Sequence, residues 1–235
     1  MGRGAGLRVR GLASPDDVVR ASLHDRHRRF RVEHGAAVRY DPAVASFVAV
    51  PATPTEQDWA DLAALVGPGG LADLFSATAP PPTGWEPAFE LEGQRMTFSA
   101  PVPGPVAAVV EPLGPDDADD VRALAAQTRP GPFFARTHEL GRFVGVRADG
   151  VLLAMAGERL RPPGGTEISA VCTRPEARGR GLVAAVVAAL VRDVLDRGEV
   201  PFLHVMRANA GALALYRRLG FEVSDDVVFR GYRVP

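Results

Sequence analysis

The sequence of 235 residues contains no lysine and one cysteine, Cys172. A single cysteine excludes a disulfide framework and is typical of a protein from a reducing compartment. Because lysine is missing, the chain has no Gly-Lys-Ser/Thr sequence, and a nucleotide-binding P-loop is excluded. The formal net charge of −1 provides no general attraction to nucleic acid or to anionic lipid.

Long apolar runs are also missing. The longest, residues 182–191, is half of the roughly 20 residues that a membrane-spanning helix needs. The first six residues, Met-Gly-Arg-Gly-Ala-Gly, lack the apolar centre of a signal peptide. Apolar residues still make up 46% of the chain, which is enough for a substantial core. The composition therefore predicts a cytoplasmic globular protein without a membrane or nucleic-acid partner.

One stretch of the sequence predicts a specific kind of site. Residues 167–173 are partly β-branched and bounded by glycine and proline, as a strand is. Residues 174–181 are rich in glycine and arginine, and residues 182–197 form an alanine- and leucine-rich run that ends before Gly198, as a helix does. A glycine loop at a helix N-terminus presents free backbone N–H groups at the positive end of the helix dipole. The stretch therefore predicts an anion-binding site.

A dinucleotide-binding pattern is formally present in this loop. Gly179, Gly181 and Ala184 satisfy G-x-G-x-x-G/A, which would indicate an NAD(P)-dependent oxidoreductase. The next strand, however, ends at Arg207 without an acidic residue for the ribose, and little chain remains for further β-α-β units. This function is disfavoured but stays an alternative.

Two motifs resemble those of the GNAT superfamily of N-acyltransferases. Arg178-Gly179-Arg180-Gly181-Leu182 resembles its acyl-CoA signature, Q/R-x-x-G-x-G/A. Residues 209–221, Asn-Ala-Gly-Ala-Leu-Ala-Leu-Tyr-Arg-Arg-Leu-Gly-Phe, are similar to its N-x-x-A-x-x-L-Y-x-x-L-G-F segment, and the separation of the two motifs also matches. Val183 departs from the last signature position, usually Gly or Ala, and crowds the backbone slightly without removing N–H donors. The resemblance covers residues 106–235.

The resemblance implies a three-layer fold of the α+β or α/β type, with a mixed central sheet. The elements predicted in this part are strands at 106–111, 143–147, 151–159 and 201–206, helices at 116–127, 133–140 and from 210, and a closing hairpin at 222–234.

Residues 1–105 are predicted to form a smaller α+β domain, and residues 106–235 the acetyltransferase domain. The boundary is Pro101-Val-Pro-Gly-Pro105, which can continue neither a strand nor a helix. The smaller domain is either a degenerate copy of the catalytic fold or an unrelated cap. Its predicted elements are a helix beginning at residues 14–17, strands at 36–40 and 44–50, a helix at 55–66 and a hairpin of 89–91 with 94–98.

His24 and His27 have a spacing that metal sites sometimes use, but three arginines surround them. A solvated basic helix end is the preferred interpretation, and no metal is predicted.

The resemblance implies acetyl-CoA as the co-substrate. Backbone N–H groups of residues 179–183 would hold its pyrophosphate, and the strand that ends at Thr173 would pair with the pantetheine amides and polarise the thioester carbonyl. The predicted cofactor-binding residues are Val171, Cys172, Thr173, Arg178, Gly179, Arg180, Gly181, Leu182, Val183, Asn209, Ala212 and Tyr216. Cys172 has no adjacent base and is expected to be a small buried hydrophobe.

Amide formation needs a neutral amine. A primary amine with a pKa of about 10 is about one part in a thousand neutral at pH 7, so its deprotonation costs roughly 4 kcal/mol. A carboxylate base that accepts the proton assists this step. Glu167 and Glu158 are the two candidates, and the position of Glu167 relative to Arg178 matches the catalytic glutamate of several superfamily members. Tyr216 is implied as the general acid that protonates the leaving thiolate.

Strand alternation predicts which residues share a face. It places Glu167 with Val171 and Thr173, and Cys172 with Ile168 and Ala170.

The resemblance implies that the acceptor contacts the segment around residues 128–140. The candidates are Phe133, Phe134, Arg136 and His138, with His204 on a later strand. Core packing is the alternative for the two phenylalanines, and a buried hydrogen-bonded role is the alternative for His204.

These observations predict an N-acetyltransferase that acts on a primary amine of a small molecule or peptide, as a monomer or homodimer. A non-catalytic acyl-CoA sensor is the second alternative.

Overall fold

The computed structural model describes residues 12–14, 17–101, 104 and 108–235. The helices are α1 (Val18–His24), α2 (Glu56–Val66), α3 (Ala118–Thr128), α4 (Leu182–Asp196) and α5 (Ala210–Arg218). The strands are β1 (Arg31–His34), β2 (Ala37–Tyr40), β3 (Val48–Ala49), β4 (Leu71–Phe75), β5 (Glu86–Phe98), β6 (Glu111–Leu113), β7 (Phe143–Ala148), β8 (Val151–Glu158), β9 (Gly165–Thr173), β10 (Val200–Met206) and β11 (Phe221–Arg233). The predicted helix start at 14–17, the boundary at 101–105 and the first residues of the predicted strand 106–111 lie partly outside the described residues.

The main sheet has eight strands in the order β4-β11-β5-β10-β9-β8-β7-β6. Strands β9 and β10 are parallel, and the other neighbouring pairs are antiparallel. Helix α4 connects the two parallel strands, as a parallel crossover requires. The predicted mixed sheet is confirmed.

Helices cover both faces of this sheet. On one face, Val186 of α4 packs in a cluster with Ala154 of β8. On the other face, Leu124 of α3 packs with Met155, the next residue of β8. Because neighbouring strand residues point to opposite faces, α3 and α4 lie on opposite sides of the sheet. The predicted three-layer arrangement is therefore confirmed.

The N-terminal residues contribute to two sheets. Strands β1, β2 and β3 form a separate three-stranded sheet, and α2 packs against β2. Strands β4 and β5 belong to the main sheet, although both precede residue 105. An additional N-terminal α+β layer is thus present, whereas the division into two domains at residue 105 stays a prediction.

The predicted hairpins at 89–98 and 222–234 are wrong. Strands β5 and β11 are each continuous, and they pair with one another from Phe221 opposite Phe98 to Arg233 opposite Glu86. Gly93 is not a turn residue, because it pairs with Val227 inside β5. A Cβ there would lie 2.3 Å from the ring of Phe229, which leaves no room for a side chain.

Two further elements differ from the predictions. The helix expected at 133–140 is only a 3₁₀ turn at Thr137–Leu140, and the strand expected at 106–111 is β6, Glu111–Leu113. No helix among the described residues has the length and apolar character to cross a bilayer.

A bulge in β9 reverses the side-chain alternation at Ala170. Cys172 pairs with Met155 and Ser169 pairs with Gly157, so two residues of β9 oppose one residue of β8. Ala170 has a positive φ of 51°. Ile168 consequently belongs to the cluster under α4, whereas Ala170 and Cys172 belong to the cluster under α3. The prediction that these three residues share a face is wrong.

The bulge also separates Glu167 from Val171. Glu167 precedes Ile168 and therefore points away from α4, whereas Val171 packs against the cluster under α4. The prediction that Glu167 and Val171 share a face is wrong for the same reason.

Strands β9 and β10 separate beyond Glu167. Their pairing begins with Val200 opposite Gly165 and ends with Phe202 opposite Glu167, although both strands continue. Residues 168–173 of β9 therefore have no strand partner on the β10 side among the residues that the structure describes. This divergence opens the sheet between the two helical layers.

Candidate active site

Two glycines in the left-handed region shape the loop before α4. Gly179 has φ 76° and Gly181 has φ 74°, and a Cβ at either position would meet nothing within 4 Å. Glycine is therefore required by the backbone conformation and not by lack of space. Gly181 is the N-cap of α4. The free N–H groups of the first helical turn open into the space in front of it.

A cavity of about 750 Å³, termed the cofactor cavity, lies in front of this loop. The end of β9 and the starts of α4 and α5 form its walls. Of the predicted cofactor-binding residues it is lined by Val171, Cys172, Thr173, Arg178, Gly179, Gly181, Leu182, Val183, Asn209, Ala212 and Tyr216. Arg180 does not line it, although it belongs to the same loop.

The polar groups of the cofactor cavity fit an anionic, amide-containing ligand. The Oγ1 atom of Thr173 is buried and has no hydrogen-bond partner among the described residues. Arg178 forms no salt bridge within that part of the chain. A buried unpaired polar atom indicates a missing partner, and a guanidinium is well suited to phosphate. Acetyl-CoA carries both kinds of group.

Helix α5 presents two of the motif residues to the same cavity. The Oδ1 atom of Asn209 accepts a hydrogen bond of 3.0 Å from the N–H of Ala212, which caps the helix and leaves the amide NH₂ for other contacts. Tyr216 packs edge-on against Phe221, and burial raises the pKa of its hydroxyl to about 12. Tyr216 therefore keeps its proton at neutral pH and is able to donate it.

Cys172 is buried near Tyr216. Burial raises the pKa of its thiol to about 11, so the thiolate is not populated at neutral pH. The expectation of a small buried residue, and not a nucleophile, agrees with this environment.

A second cavity of about 360 Å³, termed the aromatic pocket, opens where β9 and β10 separate, on the face of the sheet that α3 covers. Four phenylalanines, Leu91 and Met206 supply most of its apolar wall, and Asp73, Arg159, Ser169 and His204 supply polar groups. The phenylalanines are Phe47, Phe75, Phe89 and Phe229. Pro130 lines both cavities, so the loop after α3 lies between them.

Three charged or titratable side chains form a buried chain beside this pocket. Arg159 donates to Glu167 through Nε–Oε2 at 2.8 Å and Nη2–Oε1 at 2.6 Å. The Nδ1 atom of His204 lies 2.7 Å from Oε1 of Glu167. Burial raises the pKa of Glu167, but the charge and hydrogen bonds of Arg159 outweigh this effect and lower it to about 2. The prediction that Glu167 is the catalytic base stays untested, and this low pKa does not support it.

Glu158 lies in a different environment. Its Oε1 is 2.6 Å from Nη2 of Arg197, and its Oε2 accepts from the N–H of Arg142 at 3.1 Å. It lines neither the cofactor cavity nor the aromatic pocket. Its predicted role as a base also stays untested, and its position does not support that role.

None of the four residues predicted from segment 128–140 lines the aromatic pocket. Phe133 packs edge-on against Phe143, with ring centres 6.1 Å apart. Arg136 is held by ion pairs to Asp41 and Glu139, each at 2.8 Å. The backbone of this segment does reach the pocket, through Pro130, Gly131 and Pro132. The placement gives no support to a role of Phe133, Phe134, Arg136 and His138 in acceptor binding, whereas His204 does line the pocket.

The sequence interpretation missed Asp73 and the phenylalanines of the N-terminal part. Asp73 lies in the middle of β4, where its carboxylate accepts from Ser46 Oγ at 2.6 Å and from the N–H of Phe75 at 3.2 Å. Burial raises the pKa of this carboxyl. Phe75 has a positive φ of 47°, which is uncommon for a bulky residue and typical of functional sites. The sequence holds no local signal that brings these residues to His204.

The two N-terminal histidines differ in burial, and His24 is exposed, with its Nδ1 atom 2.8 Å from Nη1 of Arg31. His27 is buried, and its ring bridges the Tyr40 hydroxyl at 2.8 Å and the Leu140 carbonyl at 2.7 Å. The expectation of a solvated basic helix end is therefore wrong for His27. Within the described ranges, no group of three or more His, Cys, Asp and Glu residues is placed to hold a metal.

Comparisons with known proteins agree with this geometry. Residues 143–230 match the family described as FR47-like protein. A GNAT-family protein of known structure from Novosphingobium aromaticivorans is 36% identical, with a TM-score of 0.84 over 95% of this chain and 100% of that one.

Two curated relatives match over shorter regions. N-alpha-acetyltransferase RimI of Mycobacterium tuberculosis is 38% identical over 102 residues, which are 40% of this chain and 62% of that protein. The mycothiol acetyltransferase of Corynebacterium jeikeium is 42% identical over 78 residues, which are 32% of this chain and 21% of that protein. The chain thus spans less than two thirds of the length of either relative.

These relatives favour neither the oxidoreductase nor the sensor. The full-length match to the Novosphingobium protein, together with the glycine loop and the separated strands, shows that the chain belongs to the GNAT family of acetyltransferases.

Proposed function

We propose that this protein is an N-acetyltransferase that transfers the acetyl group of acetyl-CoA to a primary amine of a small molecule or peptide. The observation that carries the proposal is the divergence of β9 from β10, with the cofactor cavity on one side and the aromatic pocket on the other. Such an opening lets a thioester and an amine approach one another from opposite faces of the sheet.

The loop and the first turn of α4 would hold the pyrophosphate. The open backbone at Gly179 and Gly181 admits a phosphate close to the N–H groups, and the helix dipole favours its charge. Arg178 adds a positive charge at the same wall of the cavity. Bound there, acetyl-CoA supplies an activated acyl group as a thioester.

Residues at the opposite end of the cavity would act on the reacting atoms. The unpaired edge of β9 at residues 171–173 is available to pantetheine and to the thioester carbonyl. Tyr216, protonated at neutral pH, would give its proton to the departing sulfur. Asn209 would contact the pantetheine arm through its free NH₂ group.

The relatives indicate which acceptors to test. One is named for N-alpha acetylation and another for mycothiol. Both peptide N-termini and small amines therefore belong in an acceptor panel. A cytoplasmic location and a monomeric or homodimeric state complete the proposal.

The test begins with binding. Acetyl-CoA at about a hundred times its Kd stabilises a one-site protein by about 2.7 kcal/mol, which raises the melting temperature by several degrees. NADPH serves as the control and is expected to cause no shift. A panel of peptides and small amines is then screened for release of free thiol. If NADPH stabilises the protein and acetyl-CoA does not, the proposed function is wrong, and acetyl-CoA binding without thiol release from any amine would favour the sensor.

A further inference from the structure

The aromatic pocket contains a histidine with one paired and one unpaired ring nitrogen. Nδ1 of His204 lies 2.7 Å from Glu167. Nε2 is buried and has no hydrogen-bond partner among the described residues. The side chain is 1% exposed and lines the pocket.

The protonation of His204 follows from that of Glu167. The pKa of Glu167 is held at about 2 despite the opposing effect of burial, so Glu167 is a carboxylate and only accepts hydrogen bonds. Nδ1 of His204 must therefore carry the proton of the 2.7 Å hydrogen bond. In a neutral ring this leaves Nε2 with a free lone pair.

His27, which is also buried, shows the difference between a structural role and an open site. Both ring nitrogens of His27 are paired, one with the Tyr40 hydroxyl and one with the Leu140 carbonyl. The Nε2 atom of His204, by contrast, has no hydrogen-bond partner within the described part of the chain.

Arg159 and Glu167 hold the histidine ring in one orientation. The two parallel hydrogen bonds between them fix the carboxylate, which in turn fixes Nδ1. Phe75 and Phe202 pack edge-on against the ring, with centroids 4.9 and 5.8 Å away. The ring is therefore positioned before any ligand binds.

The other residues that line the aromatic pocket indicate which kind of ligand would fit it. Phe47, Phe75, Phe89 and Phe229 present apolar and aromatic surface, and the volume of about 360 Å³ is at the small end of ligand pockets. The buried carboxylate of Asp73 also lines the pocket and favours a positively charged group. An amine on a small apolar group has both features.

We propose that Nε2 of His204 is the base that accepts a proton from the acceptor amine, that Glu167 positions its ring, and that the acceptor is a small primary amine carried by an apolar group. This inference rests on the proposed acetyltransferase function. It makes His204 the proton acceptor in place of Glu167.

The proposed reaction transfers one acetyl group to the amine and releases one proton. Nε2 of His204 takes one proton from the ammonium form of the acceptor, and the freed lone pair on nitrogen forms a bond to the thioester carbonyl carbon. The C–S bond breaks, and its electron pair leaves on sulfur, which takes the proton of the Tyr216 hydroxyl. The nitrogen of the new amide loses its extra proton to the Tyr216 phenolate, and His204 returns its proton to solvent. The products are the amide, free CoA and one proton.

Burial favours the neutral form of His204 over the protonated form. Burial lowers its pKa, the Glu167 carboxylate on β9 opposes this, and Arg159 and Arg95, the latter on β5, add to the lowering. Asp73 on β4 faces the same pocket. Because the net pKa lies below the ordinary value of 6.5, His204 is neutral and basic at pH 7. The rate should therefore fall as the pH drops through this lowered pKa.

The proposal is tested first by nitrogen-15 NMR of the intact protein, labelled at histidine. The expected result is a neutral His204 at pH 7 with its proton on Nδ1. A proton on Nε2, or a doubly protonated ring at pH 7, would overturn the proposal. This measurement needs no acceptor.

Kinetics test the same residue with two named amines, 2-phenylethylamine and ethanolamine. With saturating acetyl-CoA, kcat/KM for 2-phenylethylamine should exceed that for ethanolamine by about tenfold or more, since apolar burial favours it. His204→Asn keeps an N–H for Glu167 but removes the base. It should lower kcat by about 100-fold or more, abolish the acidic limb of the pH profile and leave the Kd for acetyl-CoA unchanged.

His34→Asn is the matched control, because His34 is exposed on β1 and lies outside both cavities. It should retain wild-type kinetics. If acetyl-CoA fails to bind the wild type, the proposed function fails. If the wild type acetylates amines but His204→Asn retains its kcat, only the role of His204 is overturned. Preference for ethanolamine, or turnover of neither amine by protein that binds acetyl-CoA, overturns the apolar acceptor class.

Discussion

Arg159 donates two parallel hydrogen bonds, of 2.8 and 2.6 Å, to the carboxylate of Glu167, and the glutamate side chain is fully buried. The pair joins the strand that precedes the glycine loop to the residue that follows β8. Its geometry is that of a bidentate arginine–carboxylate contact, which gives both strength and orientation.

Glu167→Gln is expected to destabilise the protein by about 3 kcal/mol, because it leaves the largely buried Arg159 guanidinium, 15% exposed, without its counter-charge. Urea unfolding of both proteins at pH 7 measures the difference. Glu176→Gln is the control, since that side chain is 62% exposed and 3.8 Å from Arg174, and its effect should stay within about 0.5 kcal/mol. An equal effect of the two variants would contradict the structural role of the pair.

The same pair predicts part of the acid sensitivity. The folded-state pKa of Glu167, about 2, lies below the ordinary value of 4.5, so its contribution to stability is complete above pH 4.5 and is lost as the pH falls towards 2. The shift corresponds to about 3 kcal/mol. Unfolding free energies measured from pH 5 to pH 2 should fall less steeply in Glu167→Gln than in the wild type.

His27 is expected to change the stability of the protein between pH 6.5 and pH 4, a higher range than that of Glu167. Burial lowers its pKa from 6.5 to about 4, so the unfolded chain takes up a proton there that the folded protein does not. The wild type should therefore lose about 3 kcal/mol of stability to this group as the pH falls from 6.5 to 4. His27→Gln lowers stability overall but should flatten this part of the profile. A slope unchanged by the substitution would show that His27 does not titrate in this way.

Local sequence patterns were sufficient for the elements around the glycine loop. Residues 182–197 were predicted as a helix, and α4 spans Leu182–Asp196. The helix predicted from residue 210 is α5, Ala210–Arg218, and the side chain of Asn209 caps it. In both cases the residues that determine where the helix begins and ends lie within one or two turns of its ends. These residues are glycines, capping residues and periodic apolar residues, so the nearby sequence is sufficient to predict the helix.

The errors arise where distant residues decide the structure. The pairing of β5 with β11 joins residues more than 100 positions apart, and no local pattern indicates it. The bulge at Ala170 reverses the alternation of β9, and alanine carries no signal for a positive φ. Asp73 reaches the pocket of His204 only because β4 joins the main sheet. The surroundings of His204 therefore depend on the strand topology, which sequence periodicity does not contain.

The two ends of α4 provide a matched test of the glycine loop. Gly181 before the helix and Gly198 after it have φ 74° and 71°, and a Cβ at either would meet nothing within 4 Å. Gly181→Ala and Gly198→Ala should each cost about 1–2 kcal/mol of stability, because both place a side chain in the left-handed region. Only Gly181→Ala should weaken acetyl-CoA binding, by about tenfold or more, since only Gly181 lines the cofactor cavity. Calorimetric titration of both variants measures this, and equal Kd values would contradict the assignment of the loop to the pyrophosphate.

Tyr216→Phe separates catalysis from binding in the cofactor cavity. The substitution removes the hydroxyl but keeps the ring that packs 6.0 Å from Phe221, so folding and the Kd for acetyl-CoA should be unchanged. The pKa of about 12 means that the wild-type hydroxyl is protonated at neutral pH, as a general acid must be. Its loss should lower kcat by about 100-fold or more, measured as thiol release with an amine that the wild type acetylates. Tyr232→Phe, on β11 and outside both cavities, is the control and should retain its kcat. Full activity of Tyr216→Phe would mean that sulfur receives its proton from another group, whereas loss of acetyl-CoA binding would mean that the hydroxyl holds the co-substrate and does not act on the leaving group.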